Sequence, residues 1–230
     1  MMDHQEAPPV RRPREPRRGG RPAAGTDPRK RRQVLEGAVS VFRRMGFDAA
    51  SMADVAAEAG VSKATLYVYY PSKEQLFAAV VGEERDRNIS QILDVLVPEL
   101  PARIALSRLG QSILEVLGRP HVMQAHRIVI AVCERMPEIG RQMYEAGAKR
   151  VWQGLRAYLE VRVAAGELAI DAGDLDLAAQ QFVDLCQTGV VRPRLYGAVV
   201  APPEPDEIEH TVHSAVAMFL ARYGAPPSSP

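Results

Sequence analysis

From Asp27 onward, apolar side chains recur at spacings of three and four, and no stretch alternates as a half-buried strand would. The pattern predicts an all-α protein. A first helix starts at Asp27 and Pro28, a cap followed by proline in the first turn, and turns Val34, Leu35, Ala38, Phe42 and Met45 inward until Gly46 ends it. Ser51 then stands before Met52, Val55, Ala56 and Ala59 with Asp54 three residues on, which reads as an N-cap and its acidic partner. Gly60 closes that short helix, and Ser62 caps the next only two residues later. Pro71 stops the third helix. Ser72, with Gln75 at the reciprocal position, starts a fourth that carries Leu76, Phe77, Val80 and Val81 towards Ile92, Leu93 and Leu96, closed by Pro98 and Pro101.

Beyond Pro101 the same period continues. Ile104 to Leu117 forms one helix, His121 to Met136 another, and a long helix spans about 138–165, in which Gly140, Gly147 and Gly154 repeat every seven residues. Each glycine costs about 1 kcal/mol relative to alanine in a helix, so something must approach that face closely, either a neighbouring helix or a ligand. Two stripes end the chain, Leu175, Ala178, Phe182, Leu185 and Gly189, then Ile208, Val212, Ala215 and Phe219 after a proline-rich loop. Such a helix pair either packs on its own domain or buries its stripes against the same pair of a second copy; the expectation here is the dimer interface.

The stretch 51–70 carries the chemistry. Two short helices joined by a glycine turn must cross steeply, which is helix-turn-helix geometry with the second helix directed to a major groove. At 100° per residue, Leu66 and Tyr70 point to the core. Ala64 and Val68 then centre the outward face, with Lys63 and Tyr67 on one flank and Thr65 and Tyr69 on the other. Small groups, hydroxyls and one cation suit DNA: Ala64 admits close approach, Val68 can meet a thymine methyl, Lys63 can reach guanine acceptors, and the hydroxyls can donate to phosphates or bases. Lys73 and the free amides after Ser72 add a phosphate site.

The run from Phe47 through Phe77, with AGVSKATLYVYY followed by SKEQLF, resembles the DNA-binding domain of TetR-family transcriptional regulators, and with the preceding helix the likeness covers roughly residues 29–88. The resemblance implies a homodimer that binds a palindromic operator, acts as a repressor, and releases DNA when a small-molecule effector enters the C-terminal domain. It places Ser51, Ser62, Lys63, Ala64, Thr65, Tyr67, Tyr69 and Lys73 where family members touch DNA. Many members have a threonine-serine pair where this chain has Ala50 and Ser51. From PEIGRQMYEAGAKRVWQGLRAYL onward the chain is also similar, more loosely, to the C-terminal domains of AefR-like members. Candidate effector residues on the central helices are Met123, His126, Ile130, Cys133, Met143, Trp152 and Phe182, each of which also suits a plain core.

Composition narrows the classes. With 47% hydrophobic and 25% charged residues, the 230-residue chain fits a globular protein able to bury a core. No apolar run approaches the ~20 residues of a bilayer crossing, and no secretory segment is evident, so the expected compartment is the cytoplasm. Cys133 and Cys186 are expected as free thiols. The net charge of +1 hides an asymmetry: residues 1–32 hold ten Arg or Lys against four acids, a net +6, leaving −5 on the rest. Residues 1–26 thus read as a disordered basic arm able to release counterions from DNA, or else as a solubilising tail. Residues 27–88 follow as the DNA-binding domain, 89–224 as the effector-binding and dimerisation domain, and 225–230 as a disordered tail. Neither a cofactor motif nor an enzyme motif is present; a metal at His126 and Cys133, or at Glu209, His210 and His213, is a minor alternative, as is nonspecific DNA packaging through the arm.

Overall fold

The computed structural model describes residues 26–226. Every side-chain cap expected on the first four helices forms. Asp27 Oδ1 accepts from Arg29 N at 2.9 Å and opens α1 (Pro28–Ala49). Within that span the helical geometry breaks at Gly46 (φ 76°, ψ 175°), a conformation glycine adopts cheaply, and the break turns Phe47 into the core. Ser51 and Asp54 form a reciprocal capping box on α2 (Met52–Glu58), with Asp54 N donating to Ser51 Oγ at 3.2 Å and Ser51 N to Asp54 Oδ2 at 3.0 Å. Ser51 Oγ also donates to Asp54 Oδ2 at 2.5 Å, and that bond, with the one from Ser51 N, holds the Asp54 carboxyl below its ordinary pKa. Gly60 turns the chain at φ 62°, and Ser62 Oγ accepts from Thr65 N at 3.1 Å to start α3 (Lys63–Tyr69). Ser72 caps α4 (Lys73–Leu93) through Gln75 N at 3.2 Å.

The first four helices close around Val34, Leu35, Val41, Phe42, Val55, Leu66, Leu76 and Phe77. Phe42, Phe47 and Phe77 meet with ring centroids 5.0–6.1 Å apart. Met45, expected on the inward stripe, is exposed; Val41 takes the inward place. Val129, Val132 and Ile139, from further along the chain, complete this core, so it is not built by residues 27–88 alone. A second core begins at Ile89, further along α4.

The C-terminal part is organised around α5 (Ala102–Leu117), which buries Ala105, Leu106, Leu109, Ile113, Leu114 and Val116. Around it stand α6 (Pro120–Val132), α7 (Pro137–Met143), α8 (Lys149–Ala164), α9 (Leu175–Gln187), a short α10 (Val191–Leu195) and α11 (Pro205–Tyr223). The long helix expected over 138–165 is α7 and α8 joined by a π turn at Tyr144–Ala148. Its glycines face neighbouring helices: a Cβ on Gly154 would sit 2.6 Å from Leu93 Cδ2, one on Gly140 3.1 Å from Cys133 Cβ, and one on Gly147 3.5 Å from Arg85 Cδ.

The stripes expected at a dimer interface are corrected by the structure. Leu175, Ala178, Phe182, Val212, Ala215 and Phe219 are at most 3% exposed within a single chain, and Phe182 meets Phe219 edge-on at 5.3 Å. Leu185 and Ile208 are half-buried, and of the nine only Gly189 is exposed. The cause is α5, whose apolar surface is covered by α9 and α11. Outward from the same two helices point Leu177, 50% exposed, and Met218, 57% exposed. Residues 1–25 of the expected basic arm and 227–230 of the expected tail lie outside the described residues; at the start of the expected tail, 225–230, Ala225 is tied down, its N–H donating to Glu167 O at 3.0 Å.

Candidate nucleic-acid interface and effector cavity

Helix α3 is anchored by Leu66, fully buried, and Tyr70, 7% exposed, four residues apart. The anchoring leaves Lys63, Ala64, Tyr67 and Val68 exposed, with Tyr67 at 48% and Val68 at 51%. Two exposed large side chains side by side on a seven-residue helix are an unusual expense of apolar surface to leave in water. Thr65 is half-buried, and its Oγ1 lies 2.8 Å from Ser62 Oγ. Three further expected donors are engaged within the chain, the first being Ser51, whose Oγ donates to Asp54 Oδ2 at 2.5 Å. Tyr69 donates its hydroxyl to Asp27 O at 3.2 Å, and Lys73 Nζ donates to the carbonyls of Phe47, Ala50 and Asp48 at 2.8, 2.9 and 3.2 Å while standing 4.5 Å above the Phe47 ring. Lys73 as a phosphate contact is therefore corrected: its charge closes the break that Gly46 makes between α1 and α2. Near the start of α1, Arg31 is paired with Glu83, whereas Arg32 is exposed and Lys30, also exposed, bonds Gln33.

Behind this head lies a partly open cavity of about 370 Å³ lined by α4, α5, α6, α7, the π turn, α8, α9 and α10. Its wall is mainly aliphatic, with Ile89 and Ile92 from α4, Ile113 and Val116 from α5, and Met123 and Ile130 from α6. The charged wall groups have partners: Glu84 lies 3.6 Å from Arg43, and Arg85 bonds Asp86 at 3.0 Å and Gln142 O at 3.1 Å. Burial holds the His126 imidazole below its ordinary pKa, so it is neutral near pH 7.

The model of the AefR-like transcriptional repressor C-terminal domain matches residues 104–225, more than half the chain, and that of the bacterial regulatory proteins of the tetR family matches residues 34–80. This chain belongs to the TetR family. A solved TetR-family transcriptional regulator from Mesorhizobium loti superposes with a TM-score of 0.80 at 28% identity, covering 86% of this chain and 98% of that one. The flavonoid-responsive regulator FrrA superposes with a TM-score of 0.73 at 30% identity, covering 87% and 99%. By sequence, the uncharacterized HTH-type transcriptional regulator YuxN of Bacillus subtilis (strain 168) is 30% identical over 90 residues, 37% of this chain but only 31% of that relative, so this chain spans about a third of its length.

In this TetR-family chain the seven candidate effector residues divide. Met123, His126, Ile130 and Met143 line the cavity. Cys133, Trp152 and Phe182 do not, and each failure has a local cause. Cys133 is the C-cap of α6, past its last turn, with Sγ donating to Ile130 O at 3.1 Å. Val151 and Val183 take the cavity wall, and the next residue of α8, Trp152, turns about 100° away to meet Tyr144 at 5.6 Å, just as Phe182 turns to Phe219. Sequence reasoning missed the contribution of α4, where Ile89 and Ile92 at three-residue spacing were legible only as core. It also missed α10, whose Val191 and Leu195 close the cavity.

Both cysteines are free; Cys186 is buried and its thiol is pushed up to about 12, so it is chemically inert at neutral pH. Among the described residues no three His, Cys, Asp or Glu stand together as a metal site, and no helix is long and apolar enough to cross a membrane.

Proposed function

We propose that the protein is a sequence-specific DNA-binding transcriptional regulator, a homodimeric repressor whose hold on a palindromic operator is relieved by a small molecule in the cavity. The observation that carries the reading is the outward face of α3, where Lys63, Ala64, Tyr67 and Val68 stand free on a helix locked from behind by Leu66 and Tyr70. Ser62 and Thr65 supply hydroxyls beside it, and the exposed Lys30 and Arg32 offer positive charge for the backbone. Family membership supports the same role, and the kinship with a flavonoid-responsive regulator supports a small-molecule effector.

A second copy is expected on the outward faces of α9 and α11, around Leu177 and Met218, holding the two heads roughly 34 Å apart, one turn of DNA, or a multiple of it. The effector would act through α4 and α6. Both reach from the cavity into the head's core: α4 by Ile89 and Ile92 at one end and Leu76, Phe77 and Val80 at the other, α6 by Val129, which belongs to both. Gln124 and Arg135 of the α6 region also bond Arg43 O and Asp48, so displacing α6 displaces the head. A coupling of about 1–3 kcal/mol suffices for a 5- to 150-fold change in operator affinity.

Selection of bound sequences from a random DNA pool tests the reading. A palindromic consensus with half-sites about one helical turn apart is expected; a featureless pool would instead support packaging by the basic arm.

A further inference from the structure

The cavity wall is specific about charge. Glu84 is matched by Arg43 at 3.6 Å, and Arg85 by Asp86 and a backbone carbonyl, so neither is left to neutralise a ligand's charge. Gln187 Nε2 donates to Val183 O at 3.1 Å. Two polar wall residues differ from these, Asn88 and, on α6, His126: each lines the cavity and makes no side-chain hydrogen bond among the described residues. The His126 imidazole is neutral at pH 7, because burial lowers its pKa, and so it offers one donor and one acceptor. Half-buried and unpaired, the ring is open to a hydrogen bond from whatever fills the cavity.

From this geometry we infer that the effector is an uncharged, largely apolar molecule carrying a hydroxyl group that hydrogen-bonds His126, with its hydrocarbon body against Ile89, Ile92, Ile113 and Met123. The volume, about 370 Å³, sits at the low end of sites for drug-sized ligands, which sets the scale at a two-ring molecule. A carboxylate of the same shape is disfavoured, since entering would strip part of its water while Arg85 stays paired to Asp86. The inference rests on reading the cavity as the effector site.

Calorimetric titration of the full-length protein with 4-phenylphenol, biphenyl and 4-phenylbenzoate separates the alternatives. 4-Phenylphenol is expected to bind about tenfold more tightly than biphenyl, the worth of one good hydrogen bond, and 4-phenylbenzoate more weakly than either. His126→Phe should abolish the difference between phenol and hydrocarbon, and His126→Gln should retain most of it; both variants are first checked for unchanged operator affinity, which reports an intact fold. Tightest binding by the carboxylate, an unaltered preference in His126→Phe, or binding of none of the three by a protein that still holds its operator would each overturn the inference while leaving the DNA-binding reading intact. Binding in the expected order without release of operator DNA would support the ligand class and overturn the regulatory reading instead.

Discussion

Gly37 decides how closely α1 and α2 approach, and replacing it with alanine sets two effects of known size against each other. Helix propensity alone favours alanine by about 1 kcal/mol in a helix interior. Against it, a Cβ at position 37 would lie 2.7 Å from Ala59 Cβ, 2.8 Å from Ala59 N and 2.9 Å from Ala59 Cα, where ordinary contact begins at 3.4 Å. Backbone atoms cannot rotate aside, so the two helices must part by roughly 0.7 Å. Overpacking of this kind costs about 1–3 kcal/mol. Parting also stretches the bond from Gln33 Nε2 to Ala59 O, now 2.6 Å, a further loss of about 1 kcal/mol. The net expectation for Gly37→Ala is destabilisation by about 1–3 kcal/mol, a fall in Tm of about 2–12 °C for a chain of this size. Gly82→Ala is the control: the nearest atom to its added Cβ is Arg85 Nη2 at 3.7 Å, so there the propensity gain should survive and stability should hold or rise. Urea unfolding followed by circular dichroism measures both. If Gly37→Ala proves as stable as Gly82→Ala, the close α1–α2 approach that aims α3 is wrong.

Further expectations follow from individual groups. Lys63→Ala should weaken operator binding and lower the slope of log affinity against log salt by about 1 with no change in Tm, whereas Lys73→Ala, which strips three carbonyls of their donor, should lower Tm; fluorescence anisotropy and thermal unfolding distinguish the two lysines. Met218→Asp should shift the protein from dimer to monomer in sedimentation velocity, and Phe182→Ala should lose about 3–5 kcal/mol of stability instead, because Phe182 is core and Met218 is surface. His126, whose folded pKa lies below its unfolded 6.5, stays neutral in the fold while the unfolded chain takes up a proton. Stability should therefore fall as pH drops below about 6.5, and His126→Phe should flatten the part of that slope not due to His121, which burial also lowers.

The head was legible because its signals are local. Ser51, Ser62 and Ser72 each cap the helix that follows, Gly60 has the positive φ that its place between two caps demands, and Leu66 with Tyr70 fixes the rotation of α3 within one helical turn. What failed depends on distances the chain sets only after folding. Nothing in the neighbourhood of Lys73 announces that Gly46, 27 positions earlier, will leave three carbonyls turned towards its ammonium.

The C-terminal errors share one cause. Helical periodicity finds the apolar stripe but not its occupant, so the stripes of α9 and α11 read equally well as faces for a second copy or for α5, and α5 takes them. The cavity is the complementary case, since Val151 and Trp152, or Val183 and Phe182, differ by a single residue in sequence and by the whole question of whether a ligand is touched. In both places size misled, because a bulky aromatic attracts notice as a binding group while its physical advantage is to fill a core. The cavity exists where small β-branched and aliphatic side chains from many helices stop short of one another. There His126 combines a neutral polar ring with the absence of a partner among the described residues, which is why it, rather than Trp152, is the residue on which an effector's recognition should turn.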